Sequence, residues 1–177
     1  MDSWLLRNRN LMIVLLLTFI ILTACNKDEV KDSPLYEGEE LTIGVVGEEP
    51  KVREKNIEFK NVTLKDLKEE KFPSELDAIF IMKENFTEAS KASFAKVYKE
   101  SGMLFFFIES EKSYIPFVDE ETDYESSSVN KPGNYASGYY RTGDEGTYWD
   151  YGLYNDAVNE TNILDVYSRI FKTIDEN

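Results

Sequence analysis

Histidine is absent from this chain of 177 residues, and Cys25 is its only cysteine. Without imidazole or a second thiol there is no Ser-His-Asp or Cys-His hydrolytic apparatus, no His- or Cys-based zinc or copper site, and no intrachain disulfide. Basic residues are scarce as well. Twenty Lys and Arg stand against 34 Asp and Glu, a net charge of −14. Nucleic-acid binding needs a basic footprint, so nucleic acid is excluded as a partner. No Gly-x-Gly-x-x-Gly and no Walker loop is found, so no cofactor is expected. There is no internal repeat.

Long apolar runs are also rare, and the longest lies near the start. Met1 to Asn10 carry Arg7 and Arg9 against Asp2, and Leu11 to Leu22 are apolar apart from Thr18. A spanning helix needs about 20 apolar residues to cross about 30 Å of hydrocarbon, so twelve read as the h-region of a signal peptide. The run ends in Leu22-Thr23-Ala24-Cys25, which resembles the lipobox of bacterial lipoproteins. The resemblance implies cleavage before Cys25, a diacylglyceryl group on its thiol, and a protein held at the cell membrane on its extracytoplasmic face. Two or more acyl chains, at about 0.8 kcal/mol per buried methylene, make such an anchor stable.

Residues 1–24 would then be a lipoprotein signal peptide, residues 25–40 a lipidated acidic tether, and residues 41–177 a single domain. Loss of Arg7, Arg9 and Asp2 leaves 18 basic and 33 acidic residues, a net charge of −15. That charge repels anionic headgroups, so the body stands off the membrane. Residues 26–40 lack apolar periodicity and read as a flexible coil spanning roughly 20 Å. The remaining chain is long enough for one domain with its own core.

Three runs in the domain read as strands buried on both faces: Leu41 to Gly47, Asp77 to Lys83 and Met103 to Glu109. A helix capped by Asn85, with Glu88 at the third position, is expected to connect the last two. Gly102 would end it, and Phe86, Phe94, Val97 and Tyr98 would form its inner face. A short helix is expected from Thr63 with Asp66 completing a capping box. Ile57 to Val62 alternates like an edge strand, of open direction, because only nine residues separate it from Gly47. Ile163, Val166, Tyr167, Ile170, Phe171 and Ile174 form one stripe at helical period, which is core. In element order, residues 41–109 and the last helix resemble flavodoxin-like and class I glutamine-amidotransferase-like domains. The resemblance implies a small three-layer α/β domain with a mainly parallel sheet. The amidotransferase nucleophile and histidine have no counterpart here.

Two groups of residues are candidate sites. Residues 135–154 hold six tyrosines, one tryptophan and four glycines around the turn signal Thr142 to Gly146, and read as an aromatic-rich β-hairpin insertion. Its rings suit either a binding face, built from Tyr139, Tyr140, Tyr148, Trp149 and Tyr151 with Arg141 or Asp150 fixing orientation, or the completion of the core. The second group is the rim at the carboxyl ends of the strands, where open α/β sheets bind ligands: Glu48, Lys83, Asn85 and Glu109. Ordinary solvated loops account for the same residues. Asp119, Glu121 and Asp123 lack the glycine and terminal glutamate of a calcium loop, so no metal site is expected.

Together these readings point to an anchored lipoprotein acting as a non-catalytic module for a small ligand or a protein. Alternatives are an envelope hydrolase working on glycan with paired carboxylates such as Glu48 and Glu109, and a structural accessory subunit of a membrane complex. For the anchor the expected outcome is definite. Cys25→Ala abolishes incorporation of labelled fatty acid, and the protein accumulates in the medium or as uncleaved precursor; unchanged labelling refutes lipidation at Cys25.

Overall fold

The computed structural model describes residues 34–128 and 131–177; the signal segment and Cys25 lie outside them. Six strands form one mostly parallel sheet: β1 (Leu41–Val46), β2 (Ile57–Asn61), β3 (Ala78–Met82), β4 (Leu104–Ile108), β5 (Asn134–Thr142) and β6 (Glu145–Gly152), in the order β2-β1-β3-β4-β5-β6. The first four run parallel, and β5 and β6 add an antiparallel hairpin to the β4 edge. Five helices cover the faces: α1 (Leu64–Lys68), α2 (Phe86–Ala89), α3 (Ala92–Glu100), α4 (Ile115–Val118) and α5 (Glu160–Asp175). The result is the three-layer α/β domain expected. No helix among the described residues is long and apolar enough to cross a membrane.

Continuous apolar sequence in β3 and β4 has the physical meaning assigned to it, because every residue of both strands is buried. On one face Phe80, Met82, Phe106 and Ile108 pack with Val166, Tyr167, Ile170, Phe171 and Ile174 of α5. On the other, Ile79, Ile81, Phe105 and Phe107 meet Leu67, Phe86, Phe94, Val97, Tyr98 and Phe117 from α1 to α4. Phe107 and Phe117 stack with centroids 3.6 Å apart. Burying a side chain of this size contributes roughly 2–3 kcal/mol before entropy is counted.

The open direction of Ile57 to Val62 is resolved as parallel, with Leu41 opposite Ile57 and Val45 opposite Asn61. A parallel neighbour usually needs a helical crossover. Here residues 47–56 return without any helix, and Val52 seals the α5 face of the core in its place. The α1 capping box is formed: Thr63 Oγ1 accepts from the Asp66 N–H, and the Asp66 carboxylate accepts from the Thr63 N–H.

Two expectations need correction. Asn85 does not cap a single long helix. The chain makes a 3-10 turn at Lys83–Asn85, and α2 and α3 are separate. The Asn85 side chain makes no cap bond; it donates instead to the Val46 carbonyl at 3.0 Å, tying the end of β3 to the end of β1. Nor does the packed region begin at residue 41. Tyr36, in the acidic stretch read as tether, is buried against Phe171 of α5, with ring centroids 6.1 Å apart. Its N–H donates to buried Glu54, which also accepts from Ser168. The Tyr36 ring docks the segment together with hydrogen bonds from Arg53 to the Pro34 carbonyl and from Asn56 to the Gly38 and Glu39 carbonyls.

In the hairpin, Gly138 sits opposite Trp149, and a Cβ there would lie 2.7 Å from the Phe106 ring and 3.2 Å from the Trp149 ring. That absence lets Trp149 stack over Phe106. Gly138→Ala is expected to cost about 1–3 kcal/mol, the range for an overpacked core, measured by chemical denaturation; a loss below about 0.5 kcal/mol contradicts this packing.

A candidate ligand cleft at the carboxyl edge of the sheet

The chain leaves β1 for β2 on one side and then crosses back to β3 on the other. The loops therefore part at the carboxyl ends of β1 and β3, where open α/β sheets form crevices. A cleft of about 510 Å³ lies there. Its rim carries Glu48, Glu49, Lys51, Glu84, Glu109 and Glu160, and its floor is Met82, Tyr135, Ile163, Leu164 and Tyr167.

Backbone geometry builds the rim. Gly47 has φ +127, and a Cβ on it would lie 2.2 Å from Glu84 Oε1 and 2.7 Å from the Met82 Cβ. Only glycine lets β1 end so close to β3. Glu84 Oε1 then accepts from the Glu48 N–H at 2.8 Å, joining the two strand ends. Glu109, directly after β4, has φ +63. Left-handed backbone costs a non-glycine residue about 1–3 kcal/mol and concentrates at functional sites.

Of the residues expected on this rim, Glu48 and Glu109 line the cleft. Asn85 braces it from beneath through Val46. Lys83 is exposed and lies outside the lining. Lys51, Glu160, Tyr135 and Tyr167 went unrecognised in the sequence. Lys51 belongs to the extended crossover, and the others come from β5 and α5, distant in the chain. Burial pushes the Tyr135 phenol up to about 12, and the nearby Glu109 charge adds to the rise. Tyr167 is raised mainly by burial, then by its neighbour Tyr135 and by Glu109. Both phenols therefore stay neutral, with the potential around them negative.

The aromatic hairpin is divided between core and solvent. Tyr139 and Tyr151 are buried, and the Tyr151 hydroxyl bonds Thr173 at 2.7 Å. Trp149 and Tyr140 pack partly buried against the α5 side of the core. Tyr148 is 56% exposed and stacks on Tyr114 at 4.9 Å, with Tyr139 5.1 Å from Tyr114. Arg141 Nε donates to the Gly143 carbonyl within the turn. Because β5 runs antiparallel to β4, Arg141 and the turn lie at the amino edge, opposite the cleft. None of the candidate hairpin residues lines the cleft, and of residues 135–154 only Tyr135 does.

Asp119 Oδ1 accepts from the Glu121 N–H, and Asp123 Oδ1 from Ser126. Both carboxylates thus shape their own loop, and the Ser126 bonds hold Asp123 below the usual carboxylate range. Among the described residues no three acidic or thiol side chains are grouped to hold a metal. A glycoside hydrolase needs one carboxyl desolvated enough to stay protonated. Glu48, Glu49, Glu84, Glu109 and Glu160, by contrast, are all exposed. The chain matches no protein-family model, no curated protein and no solved structure.

The raised phenols fix the alkaline behaviour. Tyr135 and Tyr151 both reach about 12, against about 10 in an unfolded chain. Native structure thus holds these protons more tightly. The stability linked to them is whole below about pH 10 and is lost as pH rises through 12. Ultraviolet titration should show both phenols ionising late, with Glu109→Gln lowering Tyr135 and leaving Tyr151 unmoved. A Tyr135 titration indifferent to Glu109→Gln would place that carboxylate elsewhere.

Proposed function

We propose that this chain is an extracytoplasmic lipoprotein, held at the cell membrane by a lipid on Cys25, and that its α/β domain is a non-catalytic binding module for a small ligand. The observation that carries the binding reading is the cleft itself. It lies where the strand order reverses, has a size within the roughly 300–1,000 Å³ of small-molecule sites, and sets charged groups over an apolar, aromatic floor. The anchor reading is supported by the charged start, the twelve-residue apolar run and the cysteine after Ala24.

Exposed carboxylates with neither imidazole nor thiol support binding over turnover. The buried state of Tyr139 and Tyr151 moves the emphasis from the hairpin to the cleft, leaving Tyr148 as the one ring of the segment that is largely exposed.

The test is thermal denaturation of the full chain in detergent micelles against a small-molecule panel, for the native protein and for Val158→Trp. Val158 lines the cleft and is 78% exposed, so a bulky ring there obstructs the cleft without entering the core. A ligand at about 100 times its Kd stabilises by about 2.7 kcal/mol. That stabilisation should appear in the native chain and vanish in Val158→Trp. Full stabilisation of Val158→Trp refutes the cleft as the site.

A further inference from the structure

We infer that the cleft selects an organic cation, its ammonium group held among Glu48, Glu84 and Glu109 and its apolar body laid over Tyr135, Ile163 and Leu164. The inference rests on the reading of the cleft as a ligand site and names the class of ligand.

Five carboxylates and one ammonium, that of Lys51, line the opening. Elsewhere on the surface acidic groups find cations: Glu75 meets Lys60 at 3.0 Å, Glu120 meets Lys99 at 2.8 Å, and Glu69 meets Lys71 at 2.8 Å. No ion pair among the described residues involves a carboxylate of the cleft. Five carboxylates thus share one opening without an ion pair among the described residues, and a cleft lined mainly by one sign of charge raises the local concentration of cations. Partly buried Tyr135 and buried Tyr167 lie near enough to Glu109 for its charge to add to the rise that burial gives both phenols.

An anion is excluded by the same field. The N-terminus of α5, which by its dipole would favour one, is occupied by Glu160 and capped by the Asn159 side chain bonding the Asn162 N–H. A bare metal ion fits poorly, because it needs several oxygens converging at about 2.0–2.6 Å, and no such group exists among the described residues. An ammonium on an apolar frame uses both halves of the lining. The carboxylates supply charge, and the tyrosine rings supply the face to which cations are attracted.

The experiment is a methyl-detected NMR titration of the full chain in nonionic micelles, following Met82, Ile163 and Leu164. Phenethylammonium is the probe, with 2-phenylethanol, 3-phenylpropionate and calcium as controls. Phenethylammonium should shift these methyls saturably, and Kd should rise with salt as the charges are screened. The double variant Glu48→Gln with Glu109→Gln should weaken binding about tenfold, on the scale of two partly exposed ion pairs, and Lys51→Gln should tighten it. Thermal denaturation confirms that these exposed substitutions leave the fold intact. If 2-phenylethanol or 3-phenylpropionate binds as tightly as the amine, the cation assignment falls while the cleft stands as a ligand site. If calcium binds stoichiometrically and displaces the amine, the site is one for metal and the assignment falls. If none of the four shifts the cleft methyls, both the assignment and the reading beneath it fail.

Discussion

Ala78–Met82 and Leu104–Ile108 bury every side chain on both faces of the sheet, and that double burial dictates the arrangement around them. A strand apolar on both faces must be covered twice, so α5 packs on one side and α1 to α4 on the other. Their flanks must be paired too, by β1 on one side and β5 on the other. Pairing β5 antiparallel to β4 turns the chain so that Tyr135 stands beside the end of β4. The antiparallel return of α5 sets Glu160, Ile163 and Tyr167 over the carboxyl ends of the parallel strands. The cleft is thus a consequence of core packing, with its floor continuous with the core and its rim made of the loops that core packing leaves in water.

Within that frame the carboxyl edge is joined through main-chain and side-chain hydrogen bonds. Asn85 reaches the Val46 carbonyl, and Glu84 accepts from the Glu48 N–H. Both contacts bridge β1 and β3, the neighbours whose loops diverge, and both depend on Gly47 bringing the chain in close. The rim is consequently defined in backbone terms even though its carboxylates are exposed. Glu109, held at a positive φ after a fully buried strand, adds a fixed charge beside two phenols that burial keeps protonated. Negative charge at the mouth and neutral hydroxyls below give the cleft a graded polarity.

The opposite flank stores its aromatic surface differently. Cross-strand pairing of Gly138 with Trp149 and of Tyr139 with Tyr148 alternates rings between the two faces of the hairpin. Trp149 goes to Phe106 and Tyr139 to Tyr114. A segment crowded with tyrosine thereby serves chiefly to extend the core beyond the parallel strands. The extended crossover at 47–56 does similar work on the α5 side, where Val52 packs and Glu54 receives the Tyr36 N–H and Ser168.

Periodicity and local chemistry were sufficient for much of this. The apolar runs at 41–47, 77–83 and 103–109, the stripe of α5, the Thr63 capping box and the turn at Thr142 to Gly146 each announce their element, because the forces involved act over a few neighbouring residues or through one buried face. Composition alone also removed imidazole and thiol chemistry from the domain. What the amino-acid order left open depended on distant partners. The parallel direction of β2 follows from its pairing with β1, the division of the aromatic rings from the register of β5 with β6, and the docking of Tyr36 from its contacts with Phe171 and Glu54. The Asn85 side chain, competent as a cap, was taken by a carbonyl 39 residues away. Most of all, the cleft joins residues from β3, β5 and α5 with others from the loops that follow β1, β3 and β4. Which side chains share a cavity is set by long-range packing, and no local pattern in a chain records it.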